Sequence, residues 1–287
     1  MTALTMSTRA RRRAVSVGLD VLTWLVLLVM LAPFLWLLIS SVQDDLELAT
    51  GAYDLLNPTF KAFSDMWDTI DFERFFLNSL IICTVSALLA TGFASTAGYA
   101  LARFKFRGSR TLSVTVIGTQ LIPGSMFLLP LFIGFIWLKQ NASIPLYDTH
   151  LGMIIVYTAF FTPVAIFFMR SFFLAIPRDL EEAAMVDGCT PIKAFVKIVL
   201  PNAAPGLVAT FVYAFLFAWD ELLFVSNLTQ HTAETIPIGI RTFIGNYQER
   251  TAQLMAAGVV TTLPVLIAFF ATQRWLVKGL TAGAVKG

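Results

Sequence analysis

Charged residues are scarce in this chain. Only 13% of its 287 residues are Asp, Glu, Lys or Arg, while 57% are hydrophobic, and a soluble domain carries roughly 25% charged residues. The mean hydropathy is correspondingly high, at +0.76. A net charge of +2 is too small to indicate a nucleic-acid partner. The composition therefore excludes an ordinary soluble domain and predicts a protein whose solvent is membrane lipid.

Residue types that build metal sites and catalytic centres are also few. Cys83 and Cys189 lie far apart with no CxxC pairing, and His150 and His231 form no HExxH pattern. The sequence contains no GxxxxGK[ST] phosphate loop. We therefore expect no metal, no cofactor bound by this chain and no enzymatic activity of its own.

Six apolar runs are long enough to cross a bilayer, which takes about 20 residues each. They cover residues 19–42, 76–101, 112–138, 151–172, 206–228 and 254–277. The first run exceeds the apolar core of about 7–15 residues found in a signal peptide, so we expect a retained helix. The predicted fold is an all-α polytopic membrane protein with one six-helix domain over residues 19–277.

Positive charge is distributed unevenly between the connections. Fifteen of the 20 Lys and Arg residues fall on the side that holds residues 1–18, the fourth connection and residues 278–287. Because Lys and Arg accumulate on the cytoplasmic side, we expect a cytoplasmic basic N-terminus and a cytoplasmic C-terminal tail. The connection 43–75 is acidic instead. We expect a partly helical external segment there, which is either a solvated face or a docking surface for an external partner.

The fourth connection, residues 178–205, has the pattern of two short helices joined by a turn. Asp179 is expected to cap the first helix, Gly188 to supply a left-handed turn, and Thr190 with Pro191 to begin the second helix. The second helix carries one apolar stripe on the face opposite Lys193 and Lys197, ahead of a break at Pro201. The stripe consists of Ile192, Phe195, Val196 and Val199. Such a unit is either an internal brace or a plug for a groove on a cytoplasmic partner.

These residues resemble the EAA loop of ABC importer permeases, whose pattern is EAA, then Gly, then I-x-L-P. The matching residues are Glu182, Ala183, Ala184, Gly188, Ile198, Leu200 and Pro201. More narrowly, the chain resembles permease subunits of carbohydrate importers of the maltose-transporter kind, from the first span to the last residue. Further matches are the sequences NSL at 78–80, IP at 122–123, PLF at 130–132 and GLTAGAVKG at 279–287. Residues 219–221 read WDE, with Asp220 where members of that family often have Asn.

The resemblance implies a type I importer, in which two permease subunits form the path and two cytoplasmic ATPase subunits supply the energy. ATP and Mg would be held by the ATPase, and the second permease and an extracytoplasmic solute-binding protein would complete the complex, with a heterodimer of permeases expected. The EAA loop would seat in the ATPase as a coupling helix. The coupling residues implied are Glu182, Ala183, Ala184, Asp187, Gly188, Ile192, Phe195, Val196, Leu200 and Pro201. In the tail, Gly283, Lys286 and Gly287 would contact the ATPase.

Asn78, in the NSL match that opens the second run, is one candidate residue of the translocation path. Asp220 and Glu221, which follow Trp219 in the fifth run, are further candidates, because ionisable groups are costly to place at membrane depth. In one interpretation they line the path, with carboxylates accepting hydrogen bonds from sugar hydroxyls and the indole stacking on a sugar face. In the other they pair with a neighbouring helix or with the second permease.

Two other classes of protein share some of these features. A self-sufficient secondary transporter or channel for a small polar solute would also be six-helical and basic inside, but it would not need the EAA-type loop. An intramembrane enzyme would need a convergent nucleophile or metal set. The expected function is therefore that of a permease subunit in the cytoplasmic (inner) membrane, for a sugar or sugar-like solute.

Overall fold

The computed structural model describes residues 8–246 and 250–284, and within these residues the protein is built from helices and contains no strand. In chain order the α-helices are α1 Thr8–Ser40, α2 Asp45–Thr50, α3 Lys61–Thr69, α4 Phe72–Arg103, α5 Ser109–Gly118, α6 Ser125–Ala142, α7 His150–Ala175, α8 Asp179–Val186, α9 Pro191–Ala194, α10 Leu200–Asn202, α11 Ala204–Trp219, α12 Val225–Leu228, α13 Ile236–Asn246 and α14 Thr251–Ala284. A 3₁₀ turn at Thr119–Leu121 and a π-helical turn at Phe195–Val199 complete them. The predicted all-α class is confirmed.

Five helices of the described residues are long and apolar enough to cross a membrane. They are Ser16–Ser40, Phe72–Arg103, Ser125–Ala142, His150–Ala175 and Thr251–Trp275. A sixth span is obtained when the segments Pro191–Asn202 and Ala204–Trp219, which meet at 74°, are counted as one. The upper count agrees with the six spans expected from the sequence.

The third predicted span, 112–138, is wrong as one continuous helix. The chain leaves α5 through the 3₁₀ turn, becomes extended at Ile122 (φ −83°, ψ 122°) and re-enters a helix at Ser125. Pro123 explains the break, because proline has no N–H to donate and disfavours helical geometry in the preceding residue. Prolines do not break the other helices in this way, since Pro33, Pro130, Pro163 and Pro264 lie inside α1, α6, α7 and α14.

The fifth predicted span, 206–228, is too long at its C-terminal end. Helix α11 ends at Trp219, and Asp220 adopts a turn geometry (φ −94°, ψ 3°). Helical structure resumes only at Val225. The sixth predicted span, 254–277, agrees within three residues at each end with the apolar segment Thr251–Trp275, and the helix itself continues to Ala284.

The chain divides into two compact units. The first comprises residues up to Asp68 together with Asn246–Val260. It contains α2 and α3, so most of the acidic connection is partly helical, as expected. There the amide of Gln43 exchanges two hydrogen bonds with the backbone of Asp54, at 2.8 and 3.2 Å, and the Asp45 carboxylate accepts a hydrogen bond from the Ala252 backbone N–H at 2.7 Å.

The second unit comprises Thr69–Gly245 and the chain from Thr261 onward, and its centre is the contact between α4 and α7. Helix α4 meets α7 with a seam of small buried residues, which includes Ala87, Ala90, Ala94 and Gly98. At Gly98 the helices are so close that a Cβ atom would lie 2.9 Å from the backbone nitrogen of Arg170. Small residues let two membrane helices approach this closely, because dispersion contacts rather than hydrophobic exclusion hold helices together in lipid.

Candidate functional site

The EAA-like segment is a helix, a tight turn and a second helix, as the sequence predicts. Gly188 has φ +89°, the Gly188 N–H donates to Met185 O at 3.1 Å, and the Cys189 N–H donates to Ala184 O at 2.9 Å. These two bonds form a Schellman motif, which satisfies the last carbonyl groups of α8. The second helix begins as expected, with the Thr190 hydroxyl accepting a hydrogen bond from the Lys193 N–H at 3.3 Å.

Asp179 does not cap α8, which corrects the expectation. It is the first residue of the helix, and Arg178 precedes it without a side-chain capping bond. Asp179, Glu181 and Glu182 all lie in the first turn. Carboxylates in that position stabilise a helix through the partial positive charge of its N-terminus.

The apolar stripe of the second helix does not form one surface. Ile192 and Val196 are exposed, at 76% and 51%, and they share the outer side with exposed Lys193 and Lys197. Phe195 turns inward, with its ring centroid 4.4 Å from that of Tyr99. The prediction of a single stripe opposite the lysines is therefore wrong, because the body of the chain itself covers one edge of this helix.

Most of the other residues predicted to take part in coupling are accessible. Glu182, Ala183, Asp187 and Gly188 are exposed, whereas Ala184 is buried. Leu200 is half-buried and Pro201 is exposed.

Pro201 does not break the helix, contrary to expectation. The π-helical turn Phe195–Val199 comes before it, with the Leu200 N–H donating to Phe195 O. The wider π-helical turn accommodates the proline ring, which would clash with a carbonyl in a regular α-helix. The bend comes after Asn202, where Ala203 (φ −84°, ψ 4°) leads into α11.

One buried ion pair in this region was missed from the sequence. Arg103 Nε lies 3.1 Å from Glu181 Oε2, with the two side chains only 6% and 12% exposed. The Tyr99 hydroxyl donates a hydrogen bond to the other Glu181 oxygen. Sequence reasoning counted Arg103 only as a positive charge at a membrane boundary, and it gave the functional weight to Glu182 rather than to the adjacent Glu181.

Glu221 is held by the protein itself. Its carboxylate accepts hydrogen bonds from the Tyr157 hydroxyl of α7 at 2.8 Å and from the backbone N–H groups of Phe224 and Val225 at 2.8 and 3.3 Å. The last two are the first N–H groups of the helical turn that follows. Glu221 is therefore bound within this chain, by α7 and by the start of the turn that follows it.

Trp219 and Asp220 differ in accessibility. Trp219 is buried between Phe215 and Phe76, with ring centroids 5.3 and 6.2 Å away. Its indole is therefore not free to stack on a sugar. Asp220 is exposed, and its carboxylate forms no hydrogen bond or ion pair within the described residues. Of the three, only Asp220 presents an open polar group.

Asn78 is committed to a network inside the chain. Its amide nitrogen donates to the carbonyls of Thr232 and Glu234 at 2.9 and 2.8 Å. Its amide oxygen lies 2.6 Å from Nε2 of His150. Asn78 thus ties the segment between α12 and α13 to the beginnings of α4 and α7.

Asp148 binds the same segment and was also missed. Its carboxylate accepts hydrogen bonds from four consecutive backbone N–H groups, residues 230–233, at 2.9–3.3 Å. The residue itself has φ +56°. Burial opposes ionisation of Asp148, but the four backbone donors outweigh it and lower the pKa of this carboxyl below its ordinary value. No pattern in the sequence signals these contacts, because the donors are main-chain groups.

Burial raises the pKa of Glu234, the neighbour of this anchored segment. Arg74 and His231 counteract the rise, while Asp148 adds to it. Arg74 Nη2 lies 3.5 Å from a Glu234 carboxylate oxygen.

Two apolar cavities lie along α7. One, of about 270 Å³, is lined in part by Gln120, Phe160 and Phe224. The other, of about 560 Å³, lies between α4, α5 and α7. Neither combines the convergent polar groups expected of a sugar site. Among the described residues no cluster of His, Cys, Asp or Glu is able to hold a metal ion.

The tail predicted to contact an ATPase is described only in part. Gly283 lies in the last turn of α14. Lys286 and Gly287 lie outside the described residues.

Comparison with known proteins identifies the family. Residues 91–282 match the family described as binding-protein-dependent transport system inner membrane component. The trehalose transport system permease protein SugB of Mycobacterium tuberculosis is 35% identical over 260 residues, covering 90% of this chain and 93% of that protein. The trehalose/maltose transport system permease protein MalG of Thermococcus litoralis is 32% identical and covers 92% and 94%.

A solved structure has the same fold. It belongs to a bacterial ABC transporter involved in the import of the acidic polysaccharide alginate, with a TM-score of 0.78 and 18% identity, covering 96% of this chain and 100% of that chain. The predicted importer-permease fold is confirmed.

Proposed function

The chain belongs to the family of binding-protein-dependent transport system inner membrane components, and on that premise we propose that it forms one half of the membrane path of an importer for a carbohydrate. Membership makes it a multi-pass inner-membrane transport subunit and not an enzyme. The carbohydrate cargo is supported by the relatives, whose names specify trehalose, maltose and, for a permease of Agrobacterium fabrum 33% identical to this chain, sulfoquinovosyl glycerol.

The surface of the EAA-like segment is the observation that carries the coupling role. Its turn is closed by the Schellman bonds at Gly188, so the two helices hold a fixed relation. On the outside it presents a carboxylate at Glu182 and the apolar side chains of Ile192 and Val196. An exposed apolar ridge flanked by charges is the kind of surface that docks into a groove.

Coupling then proceeds by displacement of this segment. Two ATPase subunits, holding ATP and Mg, would bind the segment, and their closure would move the membrane helices of this chain and of a second, non-identical permease. The excess of Lys and Arg on this side of the chain supports its cytoplasmic location, together with both termini. An extracytoplasmic binding protein would deliver the solute at the opposite face, with Asp220 as the open polar candidate on the path.

Purification from the native membrane in a gentle detergent tests the proposal. Mass spectrometry of the complex should find an ATPase, a second permease and a solute-binding protein that retains a sugar. Recovery of this chain alone, from membranes that preserve a multisubunit control complex, would contradict it and favour a self-sufficient carrier. Recovery of the full complex with a retained non-carbohydrate solute would overturn the cargo and leave the coupling intact.

A further inference from the structure

The C-terminal end of α4 meets the EAA-like segment, residues 178–205, which we call the coupling segment. Side chains of α7 and of the residue before α8 bind this end of α4. Its last carbonyls have no partner within the helix. Arg170 of α7 donates to Leu101 O at 3.4 Å. Arg178, one residue before α8, donates to Ala102 O at 3.4 Å and to Arg103 O at 3.2 Å.

In a second set of contacts, side chains of α4 bind the coupling segment. Tyr99 and Arg103, one turn apart on α4, both bind the Glu181 carboxylate. Arg103 also donates to the carbonyl of Ile176 at 3.0 Å. The ring of Tyr99 packs on Phe195. Tyr99 therefore contacts both helices of the segment, α8 through Glu181 and the helix after the turn through Phe195.

The main chain alone does not connect this segment rigidly to its neighbours. Before it, Ile176 is extended (φ −82°, ψ 125°) and precedes Pro177. After it, the chain bends by 74° at Ala203. Helical hydrogen bonding is interrupted at both ends, so a push on the segment would turn it about these two points unless side chains held it. The contacts at the end of α4 supply that hold.

We propose that Tyr99, Arg103 and Glu181 are positioning residues that fasten the coupling segment to α4, so that the segment, α4 and α7 move as one body. This inference rests on the proposed function. It assigns the neighbouring carboxylates different tasks, because Glu182 is exposed while Glu181 is turned inward onto α4. A packed and ion-paired contact transmits displacement because it has discrete arrangements and does not deform continuously.

The test uses the purified full complex in lipid nanodiscs and needs no knowledge of the cargo. A reporter thiol is introduced by Thr96→Cys on an exposed position of α4, with Cys189→Ser removing the partly exposed native thiol; Cys83 is fully buried. Maleimide labelling rates are measured with and without ATP and vanadate. The measured quantity is the ratio of the faster of these two rates to the slower one.

Glu181→Gln should lower that ratio about fivefold, the lower end of typical coupling between sites, while the ATPase still binds ATP. Tyr99→Phe keeps the ring contact with Phe195 and loses only the hydroxyl, so a smaller reduction is expected. The exchange of Arg103→Glu with Glu181→Arg should restore part of the ratio. Asp179→Asn is the matched control, since it removes an exposed charge from the same turn and should leave the ratio as in the parent.

The outcomes separate this inference from the proposed function. A parent complex that shows no ATP-dependent change in labelling would contradict the proposed coupling itself. If the labelling of the parent complex responds to ATP, and assembled complexes of Glu181→Gln and Tyr99→Phe respond as strongly as the parent, only the role of the three residues is overturned. If Glu181→Gln does not assemble, Tyr99→Phe and the charge exchange decide the question, because a purely structural ion pair would not change the labelling ratio of assembled complexes.

Discussion

Replacing Gly98 with valine tests the close contact of α4 and α7. A Cβ at this position would lie 2.9 Å from the Arg170 backbone nitrogen, 3.0 Å from the Ile166 carbonyl oxygen and 3.0 Å from the Met169 Cβ. None of these atoms is the end of a flexible side chain. The added carbons therefore require the two helices to move apart at Gly98.

The expected destabilisation is about 1–3 kcal/mol, the usual cost of overpacking a well-packed interior. Gly92 provides the matched control. It lies on the same helix, and a Cβ there meets no atom within 4 Å. Gly92→Val and Gly98→Val change helix propensity equally, so the difference between the two variants isolates the packing cost.

The measurement is the unfolding midpoint of the purified complex in detergent, followed by tryptophan fluorescence. For a chain of this size a loss of 1 kcal/mol lowers the midpoint by roughly 2–4 °C. Gly98→Val should therefore melt several degrees below Gly92→Val. Equal midpoints would show that α4 and α7 are not in backbone contact at Gly98.

The remaining predictions concern three single residues. Gly188→Val should reduce ATP-coupled uptake, because it forces a β-branched residue into the left-handed region at a cost of about 1–2 kcal/mol. Gly188→Asn should retain most of the uptake, because asparagine tolerates that region. Equal uptake by the two variants would refute the role of the turn. Asp148→Ala should speed deuterium exchange of residues 230–233 about 10–100-fold, since each charged hydrogen bond contributes about 1.5–3 kcal/mol. Because the folded pKa of Asp148 is lowered, its contribution is present above the ordinary carboxyl pKa of about 4 and is lost as the pH falls through the folded value; protection that is unchanged in the parent under acid conditions would contradict this. Asp220→Ala should raise the KM for uptake if this carboxylate lines the path, and unchanged kinetics would remove it from the candidates.

Local signals account for what was predicted well. The spans at 76–101 and 151–172 correspond to α4 and α7 within four residues at each end, because in lipid a helix satisfies the backbone hydrogen bonds of a long apolar run within the run itself. The left-handed conformation of Gly188 and the helix start at Thr190 and Pro191 were also predictable from local sequence. Glycine geometry and capping depend only on neighbours in the chain.

The predicted spans were wrong where one apolar run of the sequence contains two separate helices. The break near Pro123 and the end of α11 at Trp219 both fall within runs that hydropathy alone joins. Hydropathy measures compatibility with lipid and does not report whether the backbone continues as a helix. The hydrogen bonds of Glu221 to Phe224 and Val225, which begin a new helical turn, are visible only in three dimensions.

The sequence by itself determined the membrane class, the all-α fold and the EAA-like segment, because composition, periodicity and turn chemistry are properties of short stretches of chain. Tertiary structure alone decided how equivalent residue types divide their tasks. Glu181 is half-buried and ion-paired with Arg103 while the adjacent Glu182 is exposed, and Glu221 is bound by Tyr157 while Asp220 is exposed. A carboxylate is the same chemical group at each of these positions, and what separates them is which donors the packing of α4, α7 and α8 brings within hydrogen-bonding distance.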